Sequence, residues 1–130
     1  MKYLSFLTII MLLLACKKDQ VGNAGNQLVG KWELVSISGG IAGSTTNYPA
    51  GSGNTIMFDG ASYKETRDNK LVSSGNYTTK RQMSILAGEE GDGLVYEGIE
   101  QRYFFSVNGK QLSIYHDAYD GFNNQYRKID

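Results

Sequence analysis

The sequence predicts an all-β fold of about eight antiparallel strands, closed into an up-and-down barrel or left as a strongly curved, half-open one. Three observations carry that expectation. Sixteen glycines, nine tyrosines and a single proline among 130 residues favour short strands joined by glycine turns, because glycine weakens helix interiors and tyrosine suits a pleated surface. From residue 28 onward the chain breaks into strand-length pieces, each too short and too β-rich for a helix. Turn chemistry stands between them, at Asp59-Gly60, Asp68-Asn69, Asn108-Gly109 and Asp120-Gly121.

The N-terminus departs from this pattern. Lys2 gives a positive start, Leu4 to Leu14 form an apolar run, and the small Ala15 precedes Cys16, the layout of an export signal that is too short to span a bilayer comfortably. One reading is an ordinary secretory signal followed by a buried cysteine. The other is lipidation: Leu13-Leu14-Ala15-Cys16 resembles the lipobox of bacterial lipoproteins. That resemblance implies a thiol that is diacylated, cleavage before Cys16, and acylation of the new amine. Residues 1–15 are then a signal peptide, and residues 16–27 a lipidated cysteine with a polar tether. Cys16 is the only cysteine, so the thioether leaves no disulfide for the fold. Acyl burial contributes about 0.8 kcal/mol per methylene, and two or more chains hold a protein at a membrane without a spanning helix. Lys17, Lys18 and Asp19 resemble the charged residues that follow the lipidated cysteine in surface-exported lipoproteins of Bacteroidota. The implied address is the outer membrane, on its periplasmic or its surface-exposed side.

The folded domain is expected over residues 28–130. In "LVGKWELVSI" Trp32 and Leu34 share one face while Lys31 and Glu33 take the other. "NTIMF" (54–58), "ASYKET" (61–66), "LVSSGNYTT" (71–79) and "RQMSIL" (81–86) follow as separate strands. "EQRYFFSV" (100–107) and "KQLSIYH" (110–116) flank Asn108-Gly109, the most secure hairpin signal of the chain, and "FNNQYRKI" (122–129) completes the count. Two long loops remain. Residues 39–53 are glycine-rich and hold Pro49; residues 87–98 carry Glu89, Glu90 and Asp92 in a solvated turn whose spacing does not match a calcium loop.

"LVGKWEL" resembles the Gly-x-Trp first strand of lipocalins, and residues 28–129 as a whole resemble the small lipocalin-like domain of Bacteroidota lipoproteins. Supporting pieces are "GNYT", "YFFSVNGKQLSI" and the long loop after the first strand. The resemblance implies a barrel whose end is closed by Trp32 beneath an arginine of the last strand, for which Arg127 is the candidate. A middle lipocalin motif and a C-terminal helix are missing, which keeps the half-open form in play.

Strand alternation places Trp32, Leu34, Ile56, Phe58, Tyr63, Tyr77, Met83, Ile85, Tyr103, Phe105, Leu112 and Ile114 on inward faces. Candidate ligand contacts are the aromatic lining of Tyr77, Tyr103 and Phe105 and the face shared by Tyr63, Glu65 and Arg67. An eight-stranded barrel is just wide enough to be filled by side chains or to hold one small ligand. Two function classes follow: a non-catalytic binder of a small apolar or amphipathic molecule, or a filled-core interaction module whose loops contact an envelope protein or a protease.

Other classes find little support. Thirteen basic and thirteen acidic residues in no block give no electrostatic footprint for nucleic acid. A single histidine, His116, does not make a zinc site, and no serine sits in a Gly-x-Ser-x-Gly elbow. His116 with Asp117 and Asp120 reads as a strand-end turn. No catalytic residue, metal ligand or cofactor is assigned.

Overall fold

The computed structural model describes residues 23–130. Cys16, the signal segment and residues 16–22 of the expected tether lie outside the described residues. The chain forms a short helix α1 (Asn23–Leu28) and nine strands: β1 (Gly30–Gly39), β2 (Ser44–Asn47), β3 (Thr55–Phe58), β4 (Ser62–Arg67), β5 (Lys70–Met83), β6 (Glu90–Tyr96), β7 (Tyr103–Asn108), β8 (Gln111–His116) and β9 (Phe122–Lys128). All pairings are antiparallel. β1 pairs with β3 through Trp32↔Ile56 and with β9 through Leu34↔Tyr126, which closes β1 and β3 to β9 into an eight-stranded barrel. β2 is an extra strand on the far half of β1, with Ile37 opposite Thr46. The half-open alternative is thereby set aside.

Turn residues account for much of the register. Asp68 and Asn69 both have positive φ, 49° and 62°, as the two-residue turn between Arg67 and Lys70 requires when both central residues are left-handed. Gly109 (φ 59°) is the first central residue of the β7–β8 turn, the position that a II′ turn reserves for glycine. Asp59 accepts hydrogen bonds from the Ser62 hydroxyl and from the backbone N–H groups of Ser62 and Ala61, which holds its carboxyl down at about 2.

Four expectations are corrected. The expected tether contains α1, whose Leu28 is fully buried and whose Ala24 packs on the core; six residues with no acidic first turn carry too little local signal, so packing holds the helix. The long first loop contains β2. The pieces 71–79 and 81–86 are not two strands, since β5 runs unbroken to Met83. The acidic loop is strand β6, with Arg81 paired to Asp92 at 3.0 Å across the ladder. Its glycines disguise it. A Cβ at Gly91 would lie 2.8 Å from the Phe104 ring, and one at Gly93 would collide with Gln82, whose amide crosses that gap to the Tyr103 carbonyl at 2.9 Å.

Ten of the twelve residues expected inside are buried in or packed on the core. Met83 and Ile85 are not; they are 51% and 68% exposed. The reason is that the β5–β6 tip leaves the barrel wall: β6 and β7 share only Gly93↔Phe104 and Leu94↔Tyr103. The tip lies over Phe104, which faces opposite to the core residue Phe105, is fully buried, and stacks on Tyr115. Asp117 clamps it, accepting from the Ser84 hydroxyl (2.7 Å), Ile85 N–H (2.7 Å) and Leu86 N–H (3.3 Å).

α1 packs against β5 and β7 and closes one end of the barrel. Trp32 Nε1 donates to the Leu28 carbonyl at 2.7 Å, so the only tryptophan ties the plug to the wall. The cation over its ring is Lys128, 5.2 Å from the centroid. Arg127, expected there, instead binds Glu33 at 2.7 Å on the opposite face of the β1–β9 ladder. Glu33 also accepts the Gly51 N–H. It thus seats the loop after β2 on the barrel wall.

Candidate functional site

The barrel interior above the Trp32 plug holds a cavity of about 150 Å³. Its walls come from seven strands: Ile56 of β3, Tyr63 and Glu65 of β4, Ser73 of β5, Tyr96 of β6, Tyr103 of β7, Ile114 of β8, and Asn124 and Tyr126 of β9. Alternation along short, closed strands delivers them to one space. Tyr103, Ile114 and Asn124 also line an outer chamber of about 360 Å³, bounded by Ile37, His116 and Phe122. The shared residues make the two spaces neighbours, and the outer one is the mouth.

One wall is aromatic throughout. Ring centroids run from Tyr63 to Tyr96 at 4.6 Å, from Tyr96 to Tyr103 at 5.5 Å, and from Tyr103 to His116 at 5.2 Å, within the usual range for edge and tilted aromatic pairs. Burial, followed by the negative charge of Glu65 and neighbouring tyrosines, holds the Tyr103 hydroxyl above its ordinary value. Burial dominates at Tyr96 as well and pushes it up further. At Tyr126 burial and Glu65 push the hydroxyl up to about 12 against the opposing pull of Arg67. All three stay neutral phenols at pH 7.

The polar groups come from β4, β5 and β9. Arg67 reaches Glu65 Oε1 at 2.5 Å and stands beside the Tyr126 hydroxyl. Asn124 Nδ2 donates to the same hydroxyl at 3.4 Å, and the Tyr63 hydroxyl meets Ser73 Oγ at 3.0 Å. Among the described residues, two buried side-chain polar atoms have no partner: Arg67 Nη1 and Asn124 Oδ1. Such groups are uncommon in native interiors.

Of the expected ligand contacts, Tyr63, Glu65 and Tyr103 are brought together on the cavity wall, with Arg67 paired to Glu65 but outside the lining. Tyr77 is not. It faces the plugged end, edge-on to Phe58 at 4.9 Å, and its hydroxyl accepts the Gly60 N–H. Phe105 is buried in the core and does not line the cavity. Sequence reasoning missed Tyr96, because β6 read as a loop. It missed Asn124 and Tyr126 because placing Arg127 inward turns both outward, a one-residue parity error that inverts a whole strand. Among the described residues no three histidine, cysteine or acidic side chains converge as metal ligands. The arrangement suits holding a small molecule by an apolar body and a polar end. Comparison with family models, with curated proteins and with solved structures finds no match to this chain.

Proposed function

We propose that the protein is a lipid-anchored, lipocalin-like binder of a small apolar or amphipathic molecule, which it holds inside the barrel without catalysis. The single observation behind this reading is the tyrosine-walled cavity that adjoins an open mouth. A filled barrel gains nothing from leaving the buried amide oxygen of Asn124, a cavity-lining residue, unsatisfied at a cost on the order of 1–3 kcal/mol. A bound ligand recovers that cost.

Binding to the folded state alone adds RT ln(1 + [L]/Kd), about 2.7 kcal/mol at a hundredfold excess over Kd. Fatty acids, quinones, haem, sterol-like compounds and single-ring aromatics are to be screened by melting temperature. A rise of several degrees with one class is the expected result, and Tyr103→Ala should abolish it. A flat response to every compound would leave the second reading, an interaction module. Its support is the exposed apolar tip of Met83, Ile85 and Leu86 between β5 and β6.

The anchor belongs to the same proposal and rests on Leu13-Leu14-Ala15-Cys16. Cys16→Ser should move the protein from the membrane to the soluble fraction and remove the mass of the acyl chains. A variant that still partitions wholly with membranes at a lipidated mass would overturn the outer-membrane assignment.

A further inference from the structure

We propose that the plugged end of the barrel, and not its mouth, rests on an anionic membrane surface, so that the cavity opens toward the water. The inference rests on the lipid anchor proposed above and goes beyond it by naming the face that meets the bilayer. Chain length is the first argument. Seven peptide steps separate Cys16 from Asn23, the first residue of α1, and an extended chain covers at most about 25 Å over that stretch. The helix then runs into the plug: a Cβ at Gly25 would lie 2.8 Å from Thr79 Oγ1 of β5, and the Leu28 carbonyl accepts from Trp32. The mouth, lined by Ile37, His116 and Phe122, is at the other end. An acylated Cys16 therefore brings the plugged end to the bilayer first, and the surface of that end holds it there.

Charge is the second. Lys31, Met57 and Lys64 stand in one cross-strand row on the outer face of β1, β3 and β4, and all three are exposed. Lys110 and Lys128 adjoin the row: the Lys128 N–H donates to the Lys110 carbonyl at 2.8 Å, and Lys128 Nζ donates to the Val29 carbonyl at 3.1 Å. Lys80 follows Thr79 on β5 and is exposed. Among the described residues none of these five lysines is in a salt bridge; the salt bridges use Arg67, Arg81 and Arg127. The carboxylates beside them that are likewise outside salt bridges are Asp59, Glu97 and Asp130, three against five. Lys17 and Lys18 against Asp19 widen the excess by one. Lysines attract anionic lipid only within about a Debye length, roughly 8–10 Å, so those that count are on the face turned to the bilayer.

Exposed apolar side chains are the third. Val29, Met57 and Ile129 are exposed among these lysines, with the Ile129 N–H donating to the Lys31 carbonyl at 2.9 Å. Apolar side chains among lysines suit the boundary between head groups and acyl chains. The mouth is apolar at its rim as well, where Ile41, Tyr119 and Phe122 are exposed. Charge separates the two ends: residues 39–53 and 117–121 beside the mouth hold no lysine or arginine, and they carry Asp117 and Asp120. An anionic surface repels that rim and attracts the lysine face.

Fluorescence quenching by lipid tests the orientation. Lipidated protein carrying Met57→Cys or Tyr119→Cys has one free thiol, because Cys16 is acylated. Each thiol is labelled with a fluorophore, and the protein is reconstituted in vesicles of equimolar phosphatidylcholine and phosphatidylglycerol that contain a lipid spin-labelled near its head group. The label at 57 should lose emission to the spin label, and the label at 119 should keep it. Lys31→Glu combined with Lys64→Glu, or vesicles of phosphatidylcholine alone, should restore emission at 57 while the protein stays on the vesicles. Should Met57→Cys fail to fold, Val29→Cys reports the same face. Equal quenching at both labels, stronger quenching at 119, or quenching at 57 that is unchanged in phosphatidylcholine alone would overturn the docked face and leave the anchor standing. Protein recovered from its own cells without the mass of acyl chains would overturn the anchor, and this inference with it.

Discussion

Trp32→Ala is expected to destabilise the protein by about 3–5 kcal/mol, the range for truncating a fully buried aromatic residue. Its relative exposure is 0%, and it does two jobs. The ring fills the plugged end of the barrel, and Nε1 satisfies the Leu28 carbonyl at 2.7 Å. Alanine leaves a cavity, strands that buried carbonyl, and frees α1 from the wall. Urea unfolding followed by far-ultraviolet circular dichroism measures it, because the variant loses the only tryptophan. Lys128→Ala is the companion measurement. A cation 5.2 Å from the indole centroid at an exposed strand end should contribute no more than about 1 kcal/mol. A loss from Trp32→Ala below about 1 kcal/mol would mean that the plug does not hold the fold.

Asp117→Asn should cost on the order of 3 kcal/mol at pH 7, and the cost should shrink in acid. Asp117 is 7% exposed. Burial raises its carboxyl, but the hydrogen bonds from Ile85, Ser84 and Leu86 together outweigh that and set it below its ordinary 3.8. Hydrogen bonds to a buried charge contribute about 1.5–3 kcal/mol each; asparagine keeps the shape, but its amide nitrogen cannot accept, so at least one of the three is lost and the rest lose the charge. A carboxylate whose folded value lies below its unfolded one binds protons more readily when unfolded. Its stabilisation is therefore complete above the unfolded value and is lost as pH falls through the folded one. The unaltered protein should lose stability below about pH 4, and Asp117→Asn should flatten that slope. Part of it remains, because Glu33 is lowered in the same sense by its hydrogen bond from Arg127 and by the Gly51 N–H. Trp32 fluorescence across urea series at pH 7 and pH 3 measures the difference. An equal cost at both values would show that the clamp does not depend on the charge.

The sequence by itself determined the all-β class, the inward set on β1, β3, β4, β7 and β8, and the convergence of Tyr63, Glu65 and Arg67 on one face. These follow from a period of two and from turn residues, which are properties of neighbouring positions. Only the tertiary structure decided the rest. β6 is a strand because Gly91 and Gly93 make room for Phe104 and Gln82, side chains that lie far from them or across the ladder. Asp117 matters because the β5–β6 tip folds back onto β8, and α1 forms because Leu28 and Trp32 meet at the barrel end. The parity of β9 was the costliest ambiguity. In "NNQYRK" either Asn124 and Tyr126 or Gln125 and Arg127 can face inward, and closure against β1, with Leu34 opposite Tyr126, makes the choice. A strand carries its own alternation, but which of its two faces meets the interior is set by the partner that closes the barrel.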